Sequence, residues 1–161
     1  MKLARAALAH FIDAGFNETP LTPTWYRIGK DVEDLTVELN SSTESTTNIL
    51  DETTVTDNGY EPSVDVDTYY CDPDDAIYDK LKDIVFNRKS AGACATKCLE
   101  VIIDKTEAPY DAWQEDVVIT PTSYGGATGG VRIYFTINFN GNRQKGTVTV
   151  SSGTPTFVAA E

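Results

Sequence analysis

Val131-Arg132-Ile133-Tyr134-Phe135-Thr136-Ile137-Asn138-Phe139-Asn140 decides the fold class. Val131, Ile133, Phe135, Ile137 and Phe139 alternate strictly with Arg132, Tyr134, Thr136, Asn138 and Asn140. A period of two over that length marks a half-buried β-strand. Asn140-Gly141 is a turn dipeptide, and it predicts a hairpin back into residues 146–150, where Val148 and Val150 face the core. Working outward, further strands are expected near 97–104, 116–121, 143–151 and 154–159. On the N-terminal side the same alternation appears in Leu35/Val37/Leu39 and in Val64/Val66. Those stretches predict strands over 35–40 and 63–69, with shorter ones at 24–28 and 53–56.

One helix interrupts the strands. Ile77, Leu81, Ile84 and Val85 make a single apolar stripe. Asp72 is placed to cap the N-terminus, Pro73 sits where helices tolerate proline, and Asp74 and Asp75 face the positive end of the dipole. The spacing predicts a helix over about 73–89, closed by Arg88 and Lys89 with Gly92 just beyond. Residues 1–23 show no sustained periodicity and end in Thr19-Pro20-Leu21-Thr22-Pro23, whose prolines enforce an extended path. They read as an extended N-terminal arm. Residues 40–52, with no apolar side chain between Ser41 and Asn48, read as a long polar loop. The 161 residues therefore fit a single domain spanning 1–161, mainly β. The expected architecture is an antiparallel β-sandwich or barrel with one flanking α-helix. A single helix leaves strand edges and polar faces in need of another partner.

Charge narrows the function. The chain carries a formal net charge of −12, and residues 31–83 hold sixteen acidic side chains against only Lys80 and Lys82, a local −14. Such a chain has no basic footprint for holding phosphates, which argues against nucleic-acid capture by counterion release. No run approaches the ~20 apolar residues of a membrane span. The opening Met1-Lys2-Leu3-Ala4-Arg5 is followed by an apolar stretch cut by Arg5, His10 and Asp13, too short for a signal peptide. Synthesis in the cytoplasm is expected. Without secretion, the Asn17-Glu18-Thr19 and Asn40-Ser41-Ser42 sequons carry no meaning. Cys71, Cys94 and Cys98 are an odd number for a closed disulfide framework and read as free thiols; Cys94-x3-Cys98 as a metal pair is the weaker alternative.

The remaining candidate chemistry is thin. A calcium loop starting at Asp72 would place Ala76 and Ile77 where an oxygen ligand and glycine belong. Tyr124-Gly125-Gly126-Ala127-Thr128-Gly129-Gly130 lacks the Gly-Lys-Ser/Thr ending of a phosphate loop and leads into a strand. With the one histidine, His10, in an arm, Ser-His and Cys-His schemes lack their base. No catalytic, cofactor or metal residues are assigned, and no cofactor is expected.

Several stretches together resemble the major tail proteins of long-tailed bacteriophages and prophages, the subunits of the tail tube. They are Trp25-Tyr26-Arg27-Ile28-Gly29-Lys30-Asp31-Val32-Glu33-Asp34-Leu35, Asn48-Ile49-Leu50-Asp51-Glu52, Gly59-Tyr60-Glu61-Pro62 and Val64-Asp65-Val66-Asp67-Thr68-Tyr69-Tyr70. Ser123-Tyr124-Gly125-Gly126 and Asn138-Phe139-Asn140-Gly141-Asn142-Arg143-Gln144-Lys145-Gly146 follow in order, so the resemblance covers about residues 24–150. It implies a β-sandwich subunit that assembles into hexameric rings, stacked as a hollow virion tube alongside tape-measure, tail-terminator and distal tail proteins. Double-stranded DNA would pass down the lumen without specific binding, and no membrane is involved. On this reading Glu33, Glu38, Asp65 and Asp67 are the expected lumen-facing acids, where they would repel phosphates. Which of them point inward depends on strand register. Asn40, Ser41, Ser42, Thr43, Glu44, Asn48, Ile49 and Leu50 are the expected inter-ring contacts. The alternative is a β-sandwich carbohydrate- or ligand-binding module using exposed aromatics, with a paired-carboxylate hydrolase a weaker third.

Overall fold

A 16-residue strand, Tyr110–Gly125, is the spine on which the other strands assemble. The computed structural model describes residues 1–16 and 22–161. In chain order its strands are β1 (Leu8–Asp13), β2 (Trp25–Ile28), β3 (Val37–Glu38), β4 (Thr43–Thr47), β5 (Thr53–Asp57), β6 (Ser63–Tyr70), β7 (Ala95–Ile102), β8 (Tyr110–Gly125), β9 (Arg132–Phe139), β10 (Gln144–Ser151) and β11 (Thr154–Ala159). The helix α1 (Tyr78–Phe86) lies between β6 and β7. Nine strands form one antiparallel sheet in the order β2-β1-β7-β8-β9-β6-β3, with β10 also paired to β8 and β11 to β10. The sheet curls into a half-barrel, and β4 and β5 stand apart as a separate two-stranded sheet. The protein is mainly β, as the alternating patterns predict.

Alternation along each strand divides the apolar side chains between two cores. Ile12, Val64, Val66, Val117, Ile119, Ile133, Phe135 and Ile137 point to one face, where Ile77, Leu81 and Val85 from α1 and the turn before it cover them. Ala9, Phe11, Leu99, Val101, Ala112 and Val148 point to the other, against Trp25 and Phe157. All four members of the expected helical stripe are buried, each such side chain contributing about 1.5–3 kcal/mol.

Five expectations about the large sheet and the helix are corrected. The first and largest concerns residues 1–23. Leu8–Asp13 is a strand inside the sheet, between β2 and β7, and not part of an arm. Ala9, His10, Phe11 and Ile12 are all buried. A strand buried on both faces loses its alternation and reads as a continuous run, which is why periodicity is silent there. Residues 17–21, which include most of the expected Pro-enforced path and one sequon, lie outside the described residues.

Second, Asn140-Gly141 does not reverse the chain. β9 pairs with residues 117–125 of β8, and β10 continues in the same direction along residues 110–114 of that strand. The four residues 140–143 bulge past Glu115 and Asp116. Their backbone is held by Asn140 N–H donating to the Asp116 carbonyl at 2.7 Å and Asp116 N–H donating to the Gly141 carbonyl at 3.1 Å. Gly141 and Asn142 take the positive φ values, 90° and 56°, that such a bulge requires.

Third, β8 extends beyond the expected 116–121 at both ends. It runs through Pro121 because the register shifts between Pro121 and Ser123, a bulge where the missing N–H is tolerated. Fourth, α1 begins at Tyr78, not near residue 73, and Asp72 does not cap it. The Asp72 carboxylate instead accepts from the Asp74 N–H at 3.0 Å and from Lys30 Nζ at 2.5 Å, closing a turn that precedes the helix. Fifth, the strand expected over 35–40 shrinks to Val37–Glu38, ending before Asn40 at φ 47°.

β11 closes over Gly146 at close quarters. A Cβ there would fall 2.2 Å from the Val158 carbonyl oxygen and 2.6 Å from the Phe157 ring. Gly146→Ala is therefore expected to cost about 1–3 kcal/mol or somewhat more by overpacking. A lower urea midpoint is the readout; an unchanged midpoint would mean that β11 does not dock on β10 in this way.

Candidate functional site: an acidic sheet face and a projecting hairpin

Register places two of the four expected lumen acids, Glu38 and Asp65, on one face. Val37 pairs with the buried Val64, so Glu38 and its partner Ser63 point away from the core. Asp65 follows Ser63 at an interval of two and is exposed, while Asp67, also exposed, lies in the bulge between Val66 and Tyr69. Asp65 lies opposite Thr136, whose hydroxyl donates to its carboxylate at 2.7 Å. The next strand continues the polar surface, with Asn138 Nδ2 donating to Thr120 Oγ1 at 2.9 Å. Glu33 lies on the connection before β3. With Asp31, Asp34 and Asp67 it lines a surface cavity of about 670 Å³, closed by Tyr70 and Arg132. The Arg132 guanidinium sits over the Tyr70 ring, 4.7 Å from its centroid. Glu33 and Asp67 thus share one hollow, while Glu38 and Asp65 extend the same acidity along the sheet.

The expected polar loop over 40–52 is a β-hairpin instead. Thr43–Thr47 pairs with Thr53–Asp57, from Thr43↔Asp57 at the root to Thr47↔Thr53 at the tip. Asn40 Nδ2 ties the root down, donating to the Glu61 carbonyl at 2.9 Å and to Ser63 Oγ at 3.1 Å. Ser42 N–H donates to the Gly59 carbonyl at 3.1 Å, and Asn58 N–H to the Ser42 carbonyl at 2.7 Å. At the tip, Asn48 Oδ1 accepts from the N–H groups of Leu50 (2.8 Å) and Glu52 (3.1 Å). Every residue of both strands, Glu44 among them, is exposed, as are Ser41 and Ser42. Ile49 is fully exposed and Leu50 is 71% exposed. The second strand, β5, falls where a strand over 53–56 is expected; β4 is wet on both faces, so no apolar alternation announces it, and its signal is the Thr-rich composition, which favours strands. An isolated two-stranded hairpin is marginal in water, and this one gains nothing from either core.

A partly buried polar network lies at one end of the first core, and periodicity gives no hint of it. His10 is 2% exposed on β1, opposite Glu100 of β7. Its Nε2 is 4.0 Å from the Glu100 carboxylate, and neither ring nitrogen makes a hydrogen bond. Arg143 joins Glu100 (3.2 Å) to Glu115 (2.8 Å). Burial, aided by Arg5 and Arg143 and opposed by Glu100, holds the His10 imidazole below its ordinary value. His10 is therefore neutral in the fold, while the unfolded chain takes up a proton below about pH 6.5. Its contribution to stability is complete above that pH and is lost as pH falls towards the depressed folded value. The expected loss is up to about 1.4 kcal/mol per pH unit, and it should vanish in His10→Gln when urea midpoints are compared from pH 7.5 to 5.5. Parallel profiles for the two proteins would contradict it.

The cysteines stand apart from any reactive site. Cys98 is buried beneath Glu100 and Glu115, and burial first, then those carboxylates, push its thiol well up. Burial likewise raises Cys94 and the half-buried Cys71. Among the described residues no group of three His, Cys, Asp or Glu side chains is arranged to hold a metal ion. Trp25 packs against the second core and Trp113 lies under the Arg143 guanidinium at 5.7 Å, so neither tryptophan forms an open platform. The acids at 72–75 serve the fold: Asp75 Oδ2 accepts from the Tyr26 hydroxyl at 3.3 Å and the Tyr69 hydroxyl at 3.4 Å. No protein-family model matches the chain, and no curated protein matches its sequence significantly.

Proposed function

We propose that this protein is the subunit of a bacteriophage or prophage tail tube, assembling into hexameric rings that stack into a hollow conduit for DNA. The observation that carries the proposal is the β4–β5 hairpin: a wholly exposed projection with Ile49 and Leu50 at its tip. Exposed apolar side chains on a marginal element mark a docking surface more readily than a solvent-facing one. Two further features support the reading. β6 pairs with β3 at only two positions, so its edge beyond Val64 offers open backbone groups that lateral ring contacts would satisfy. The polar face carrying Glu38 and Asp65, with Asp67 exposed beside it, has the charge expected of a lumen that DNA slides past. Other tail components would cap the tube and set its length, and the protein would be made in the host cytoplasm before joining the virion.

Sedimentation velocity of the purified chain over a wide concentration range tests the proposal. Six-fold rings or larger multiples are expected. A monomer at every concentration would overturn it.

A further inference from the structure

We infer that the groove between the end of α1 and the end of β8 is the seat for the β4–β5 hairpin tip of a second copy of this chain. The inference builds on the assembly reading above but specifies a surface that it leaves open. The groove, about 490 Å³, is lined by Ile84, Val85, Arg88, Lys89, Pro121 and Tyr124, among others. Phe86 is 55% exposed and packs on the Tyr124 that lines the groove, with ring centroids 5.0 Å apart. An exposed phenylalanine on the last turn of a helix contributes nothing to either core of a single subunit.

Charge selects the occupant. Arg88 stands 6.0 Å from the Tyr124 ring centroid and donates to its hydroxyl at 3.5 Å. It has no carboxylate partner among the described residues. Lys89 beside it is paired with Asp83. The groove therefore combines apolar and aromatic surface from Ile84, Val85, Pro121 and Tyr124 with polar Thr122 and Ser123, and at its mouth stands a guanidinium with no carboxylate partner among the described residues. The hairpin tip is its complement: Ile49 and Leu50 are followed directly by Asp51 and Glu52, and no basic residue occurs between Lys30 and Lys80. Seating would bury the two aliphatic side chains against Phe86 and Tyr124 and bring a carboxylate to Arg88.

A second apolar hollow fits less well. It lies at the hairpin's own root, is about 590 Å³, and is lined by Leu8, Val37, Leu39, Tyr60 and Pro62 with Glu100, Glu115 and Arg143. Its one cation is already shared between two carboxylates. An incoming Asp51 or Glu52 would meet net negative charge there.

Charge-swap variants of the full chain test the seat, read by sedimentation velocity together with negative-stain electron microscopy. Arg88→Glu and Glu52→Arg are each expected to weaken self-association about tenfold or more. Both sites are exposed, so circular dichroism and thermal midpoints should not change. The double variant, Arg88→Glu with Glu52→Arg, should recover most of the wild-type association. The seat is overturned if Arg88→Glu assembles like wild type while Ile49→Ser/Leu50→Ser does not; the tube reading then survives with the hairpin docked elsewhere. Dimers that depend on the charge pair but never close into rings would keep the seat and overturn the tube. A wild-type chain that stays monomeric overturns both.

Discussion

A chain lacking residues 1–13 is expected to lose its fold outright, not merely its ability to assemble. β1 lies one strand in from the sheet edge, so its removal strips the partner from β2 and from one edge of β7. It also takes Phe11 out of one core and Ile12 out of the other. Ile12 is completely buried, and Ile12→Ala alone should cost about 2–5 kcal/mol. Domains have only about 5–15 kcal/mol of stability in total. The deletion should therefore yield insoluble or molten protein, and Ile12→Ala a cooperative unfolding transition at a clearly lower midpoint. A soluble deletion variant with the wild-type thermal midpoint would restore the description of this segment as a dispensable arm.

The second large effect concerns the acidic face. Glu38→Lys combined with Asp65→Lys changes the local charge by four units in each subunit, and closed symmetry repeats that change around every ring of the proposed tube. Both side chains are exposed and contribute to neither core. Among the described residues, the one hydrogen-bond partner of either carboxylate is the Thr136 hydroxyl on Asp65, so assembly should be nearly normal. DNA passage should not be. Phosphates that meet repulsion in the wild type would meet repeated lysines, and ejection measured by dye uptake or single-particle fluorescence should slow by an order of magnitude or more at low salt. Raising the ionic strength should restore much of the rate, because screening shortens the reach of those charges. Unchanged ejection through well-formed tubes would remove this face from the lumen.

How much of this was legible in the sequence depended on whether an element has one wet face and one dry face. β6 and β9 do, and the alternation of Val64/Val66 and of Ile133/Phe135/Ile137 reports them directly. The apolar stripe from Ile77 to Val85 reports α1 for the same reason. β1 is dry on both faces and β4 is wet on both, so neither shows a period, whereas β5 falls where the strand over 53–56 is expected. The Asn140-Gly141 turn signal is a local preference overruled by pairing: β10 gains more by continuing along β8 than by folding back on β9. The acidic residues show the same division. The excess over residues 31–83 is plain in the composition, but only register reveals that Glu38 and Asp65 share a face. Asp72 and Asp75, close by in sequence, instead tie the turn before α1 to Lys30, Tyr26 and Tyr69.

Electron cryomicroscopy of particles assembled from the wild-type chain tests the central proposal most directly, because one reconstruction reports both closure and orientation. The expected result is a six-fold ring or tube with the outer face of β6 and β9, bearing Asp65 and Thr136, turned towards an open channel. Particles without a closed channel, or closed rings with that face turned outward, would contradict it.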